Sequence, residues 1–179
     1  MTLDPERTRR LALIALTLQT AGRIDGRTKL QKITYLTNLY WKCFPDYRYH
    51  NFGPFSDTLV NELEQMRDIG WIREDVIPTY NDRTLYAYSI PHGKQGVNNS
   101  LIARANDSSL VSRTSSLVKE LDKFSSDDLE IMATLVFLRN NDKQLNDSSL
   151  VELTHELKPR FDLSRIEKGL RIFKILPSP

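Results

Sequence analysis

Few residues of this chain are placed for covalent chemistry. The single cysteine, Cys43, has its nearest histidine at His50, and a thiol nucleophile needs a base within hydrogen-bond reach. Cys43 continues the helical spacing of Leu36, Leu39 and Tyr40, which assigns it to a buried apolar face where a thiol stays protonated. His50 is then a strand or loop surface residue. No serine sits in G-x-S-x-G. Glu152-x-x-His155 sets a carboxylate and an imidazole on one helix face, but di-iron bundles need that motif twice and further carboxylates. It occurs once, and His92 falls in a turn-rich stretch, so no metal site is expected. The seven glycines form neither G-x-x-x-x-G-K nor G-x-G-x-x-G. The expectation is a non-enzymatic chain without metal or cofactor.

Charge leaves recognition chemistry. Lys plus Arg exceeds Asp plus Glu by only 25 to 23, so a nucleic-acid role must rest on local patches. One patch is C-terminal: Arg165, Lys168, Arg171 and Lys174 lie opposite the stripe Leu163, Ile166, Leu170 and Phe173, and Lys158 and Arg160 precede them. A second, Arg27, Lys29 and Lys32 with Arg23, opens a helix whose dipole favours anions over cations. These side chains are the candidates for holding phosphates; solvated surface charges pairing with acidic neighbours are the other reading. Asp57, Glu64 and Asp68 share the face opposite Leu59, Leu63 and Met66, a surface that repels phosphate and suits a protein partner. The turn Phe52-Gly53-Pro54-Phe55 joins it as a candidate partner-binding element.

The elements that must position these residues follow from caps and periodicity. Asp4 before Pro5 starts a helix to about Ala21, apolar on nearly all sides from Leu11 to Leu18 and so the expected central pillar. Gly22 and Gly26 bracket a turn; Thr28 and Gln31 have capping-box spacing for a second helix to about Cys43. Tyr47, Tyr49 and Phe52 alternate as a short strand, Gly53-Pro54 turns the chain, and Ser56 caps a third helix that Gly70 ends. Residues 71–77 and 84–90 flank Tyr80-Asn81-Asp82-Arg83 as a β-hairpin. Residues 91–100, PHGKQGVNNS, read as a linker or turn between subdomains. Beyond it come helices from Leu101 to about Phe124 with a break at Asn106-Asp107-Ser108, then from Ser125 to Asn140, and two short ones at 149–158 and 164–176 opened by the capping boxes Ser149/Glu152 and Ser164/Glu167.

The fold class is mainly α with a small β-hairpin: a winged-helix-like domain over 1–90 and a helical subdomain over 101–179, whose last two helices allow a helix-turn-helix. One cysteine and no apolar run near the roughly 20 residues that cross a bilayer point to a cytoplasmic chain without a membrane span. A protein partner is expected, DNA is the alternative, and the helical tail leaves room for a homodimer.

GRTKLQKITYL, then FGPFS, then a helix ending IGWI resemble the YwgA-like group of uncharacterised prokaryotic proteins over residues 8–90. Lys29, Leu30, Gln31, Lys32, Tyr35, Gly53 and Pro54 are also similar, more loosely, to the Panacea domain of SocA-like antitoxins. That second resemblance implies a non-enzymatic module that neutralises toxins by protein–protein recognition. FGPFS stands where those domains carry an aromatic residue and GPV, and the helical tail from Ser100 is longer.

Overall fold

The structure, a computed structural model, describes residues 4–79, 84–105 and 107–175. Helix α1, Pro5–Ala21, starts where Asp4 accepts from the Arg7 amide at 3.0 Å. Every residue from Leu11 to Leu18 is buried, because α2 (Arg27–Trp41), α3 (Asp57–Asp68), α4 (Gln95–Ala103) and α5 (Ser108–Leu121) all pack around this helix. It is the pillar that its composition demanded.

The other elements follow as β1 (Arg23–Asp25), α2 (Arg27–Trp41), β2 (Arg48–His50), β3 (Gly53–Phe55), α3 (Asp57–Asp68), β4 (Arg73–Pro78), β5 (Thr84–Ser89), α4 (Gln95–Ala103), α5 (Ser108–Leu121), α6 (Ser126–Asn141), α7 (Asp147–Leu157) and α8 (Leu163–Ile175). Among the described residues the molecule is mainly helical with two small antiparallel sheets. β1 pairs with β5, and β5 with β4, giving the order β1-β5-β4; β2 and β3 pair separately. No helix among the described residues is long and apolar enough to cross a membrane.

Several local expectations change. The stretch between Gly22 and Gly26 is a strand, because its amides and carbonyls complete the edge of β5. Gly53-Pro54 lies inside β3, and the chain turns one step earlier at Asn51-Phe52, with His50 opposite Gly53. Residues 95–100 of the expected linker belong to α4, where Asn98 is fully buried and donates to the Trp71 and Lys94 carbonyls. The hairpin turn Tyr80–Arg83 and Asn106 lie outside the described residues.

None of the three capping boxes forms. Gly26 precedes α2 without a side-chain cap; Asn146 caps α7 by accepting from Ser149 N, and Asp162 opens α8 by accepting from Arg165 N. A short Asn or Asp side chain upstream outcompetes the hydroxyl within the helix for the same orphan amides. The main core draws on α1, α2, α3, β1, β5, α4, α5 and α6, while Ile131, Leu135, Leu150, Val151, Phe161, Ile166 and Leu170 form a smaller one under α7 and α8. α6 belongs to both, which is why eight consecutive residues from Leu129 to Val136 are buried.

Candidate functional site

The β2–β3 turn is fixed from below by two lysines. Lys32, on α2 and only 1% exposed, donates from Nζ to the Pro54 carbonyl at 2.7 Å. Lys158, just after α7 and 3% exposed, donates to the Asn51 carbonyl and stands 5.1 Å from the centre of the Tyr49 ring. Beside Lys158 lies Glu130 of α6, 1% exposed, with Oε1 at 3.0 Å from Lys158 Nζ as an ion pair and Oε2 accepting from Arg160 at 2.7 Å. A buried charge is tolerated only when paired and hydrogen-bonded. Here Lys32 donates to the Pro54 carbonyl, and Lys158 has the Asn51 carbonyl and the Glu130 carboxylate. Burial pushes Lys32 down to about 8, Glu130 opposing and Lys158 assisting the shift.

Gly53 completes the clamp. Its φ is +82°, and a Cβ there would lie 3.0 Å from Thr134 Oγ1 and 3.5 Å from Lys32 Cε. Only glycine lets the turn sit this close to α6. The result is a rigid turn whose tip, Phe52, remains 53% exposed. The Arg160 guanidinium lies 5.9 Å from the Phe52 ring centre and 4.4 Å from that of Phe161.

On the other side of β3 runs a groove of about 190 Å³, lined by Arg27, Gln31, Phe55, Val60, Leu63, Glu64, Glu74 and Tyr88. Gln31 forms its floor support: Nε2 donates to the Ser56 carbonyl at 3.0 Å and Oε1 accepts from the Ser56 amide at 3.2 Å, tying α2 to the start of α3. α3 is held there by two caps, since Ser56 Oγ accepts from Leu59 N at 3.0 Å and Asp46 Oδ2 from Thr58 N at 2.9 Å. Burial would raise Asp46, but bonds from Ser56 and Thr58 outweigh it and hold the carboxyl below its usual value. Arg27 lies 3.6 Å over the Tyr86 ring, donates to Tyr88 Oη at 3.2 Å and approaches Glu74 at 3.7 Å.

The candidate phosphate-binding residues are largely engaged. Lys32 and Lys158 are interior rather than surface groups, because the turn carbonyls and Glu130 draw them in. Lys29 pairs with Asp122 at 2.9 Å. Arg160 and Arg165 meet the carboxylates at the start of α6: Arg160 reaches Asp127 at 3.4 Å, and Arg165 reaches Asp128 at 2.9 Å. Burial would raise Asp128, but Ser125 and Arg165 together hold it below the ordinary carboxylate range. Lys174 pairs with Asp147, whose carboxyl is lowered by Lys174 and then Arg139. Arg171 stands 3.8 Å from Glu167, while Lys168 is exposed without a charged partner among the described residues.

Of the candidate partner-binding residues, Phe52 is exposed, Gly53 and Pro54 are buried, and Phe55 is half-buried at the groove. Asp57 pairs with Arg48 at 2.7 Å and Asp68 with Arg67 at 2.9 Å. Glu64 is exposed at the groove rim and has no ion pair among the described residues.

Cys43 is buried, its thiol pushed up to about 12 by burial, and His155 Nδ1 meets the Phe161 carbonyl at 2.9 Å, which makes Nδ1 the protonated nitrogen. Sequence reading missed Glu130 and Thr134, the inner half of the clamp. Their signal is present: two polar residues one helical turn apart inside an otherwise apolar run.

No protein-family model matches this chain. Among curated proteins it is similar to "Uncharacterized protein YwgA" of Bacillus subtilis (strain 168), 33% identical over 55 residues. That stretch takes in 30% of this chain and 33% of the relative.

Proposed function

We propose that this chain is a non-catalytic recognition protein, regulatory or antitoxin-like, that engages a protein partner through the β2–β3 turn. The observation that carries the reading is the clamp itself. Two buried lysines, a buried glutamate and an obligatory glycine hold a turn whose tip residue, Phe52, is half exposed beside an arginine. Aromatic and arginine side chains dominate the energetics of protein interfaces, and a rigid anchor loses little entropy on binding. The element order also supports a winged-helix-like arrangement for the N-terminal part, with β1 completing the sheet of the β4–β5 hairpin. On that reading, α3 would be the groove-reading helix, and its exposed acidic residues favour a protein over DNA. The engagement of Arg165, Arg160, Lys174 and Lys29 with carboxylates argues the same way.

The test places a photocrosslinking phenylalanine analogue at position 52 in the native host and identifies the captured protein. With the purified pair, Phe52→Ala should weaken binding at least tenfold, on the scale of about 1.4 kcal/mol or more for an interface anchor, without lowering the melting temperature. Unchanged affinity in Phe52→Ala, or a salt-sensitive shift of duplex DNA by the wild-type chain that Lys168→Gln abolishes, would overturn the reading.

A further inference from the structure

The groove beside β3 has a definable occupant. At about 190 Å³ it is smaller than the roughly 300–1,000 Å³ of sites that take cofactors or nucleotides, but it has room for one large side chain. Phe55 from β3, Val60 and Leu63 from α3, and Tyr88 from β5 give it an apolar lining, which Arg27, Gln31, Glu64 and Glu74 edge with polar groups. In the β4–β5 register Glu74 stands opposite Tyr88 and Val76 opposite Tyr86, so these four share one sheet face. Val76 is 63% exposed. Val76 thus adds one exposed apolar side chain to the sheet face that carries Glu74 and Tyr88 of the groove, while Arg27 covers the Tyr86 ring.

The charges at its mouth are unequal. Arg27 and Glu74 approach each other, and Glu74 is also bonded by Arg67 at 3.3 Å. Glu64, one turn beyond Val60 on α3, has no such partner among the described residues. A carboxylate at the edge of an apolar slot favours a cation lying just outside it.

We propose that this groove captures an extended segment of the partner protein that inserts one bulky apolar side chain between Phe55 and Leu63 and sets an adjacent lysine or arginine on Glu64. The inference rests on the reading of this chain as a protein-recognition module and names the chemistry of what it recognises. Gln31 acts here as a positioning residue, since it fixes the distance between α2 and the start of α3 and hence the width of the slot.

The experiment selects random dodecapeptides displayed on phage against the immobilised full chain, then measures the best synthetic peptide by fluorescence anisotropy. The expected consensus is Leu, Met or Phe next to Lys or Arg. Val60→Trp, which fills the slot from its half-exposed wall, should weaken the peptide at least tenfold. Glu64→Lys should do the same for that peptide and recover binding when its basic residue is replaced by Glu. Affinity for the wild-type chain should fall as salt is raised.

A consensus without an apolar–basic pair, or affinity retained within twofold in both folded variants, would overturn the inference. The same variants measured against the protein captured through position 52 separate the two ideas. If that protein binds Val60→Trp and Glu64→Lys as it binds wild type, the groove inference fails while the recognition reading stands. If the peptide binds as expected but position 52 captures nothing, the Phe52 surface fails and the groove stands.

Discussion

Lys32 is the residue at which sequence and structure differ most usefully. In the sequence it belongs with Arg27 and Lys29 at the start of a helix; in the fold it is 1% exposed under Pro54. The signal that it points inward is its place on the stripe Lys32, Leu36, Leu39, spaced as one helix face. Its burial has a consequence for stability, because its pKa falls from 10.5 to about 8 on folding. Between those values the unfolded chain binds more protons than the folded one, so stability rises with pH across that window and is flat in this contribution below pH 8. Across the whole window that contribution is worth roughly 3 kcal/mol. Chemical denaturation of wild type and Lys32→Met at intervals from pH 7 to 10 should show the difference in stability moving in favour of wild type above pH 8, most of it by pH 10. Burial raises Tyr35, Tyr88 and Cys43, so their contributions fall as pH climbs from the upper part of that window, and the comparison cancels them because both proteins carry them.

At the scale of elements, helix type and existence were legible where apolar periodicity was strong. The stripe Leu59, Leu63, Met66 is buried as spacing requires, whereas Leu163 of the α8 stripe remains 46% exposed. Boundaries were less legible, since Asn146, Asp162 and Gly26 took positions that capping-box spacing assigned elsewhere. The missed strand β1 is three residues long and depends on β5, a partner more than sixty residues away, which no local pattern encodes. α8 shows the same dependence on tertiary context. Gly169 sits within the helix, where alanine would ordinarily favour helix by about 1 kcal/mol. A Cβ at this position would lie 2.7 Å from Ile131 Cγ2 on α6, and overpacking of a well-filled core costs roughly 1–3 kcal/mol. The clash should win: Gly169→Ala is expected to lower stability in urea. Combining it with Ile131→Ala should cost less than the two single changes added, because removing the methyl removes the collision. Additive or stabilising behaviour would mean that α8 is not seated on α6 as described.

For the whole molecule, the stretch 91–100 shows how a turn-rich composition can lead straight into a packed helix. Its proline, glycines and asparagines read as a linker, yet α4 begins at Gln95 and packs on α1, and Gln19 Nε2 donates to Asn99 Oδ1 at 2.9 Å. α5 packs on both α1 and α2, with Trp41 Nε1 donating to Thr114 Oγ1 at 2.8 Å. α6 covers α2 and supplies Glu130 and Thr134 to the clamp beneath the turn. The candidate site was thus half legible: FGPF and KLQK stood out in the first half, but what makes them rigid arrives from the second. These shared contacts make residues 1–90 a poor independent unit, since without the rest the faces of α1 and α2 that meet α4, α5 and α6 are left in water and Lys32 loses Glu130. The full chain should therefore unfold in one cooperative transition, with far-ultraviolet circular dichroism and tryptophan fluorescence coincident in denaturant. The fragment 1–90 should lack a cooperative melt and expose enough apolar surface to bind a hydrophobic dye. A fragment that melts cooperatively with native-like helicity would show instead that residues 1–90 fold by themselves, and that the clamp is assembled only when the second half docks.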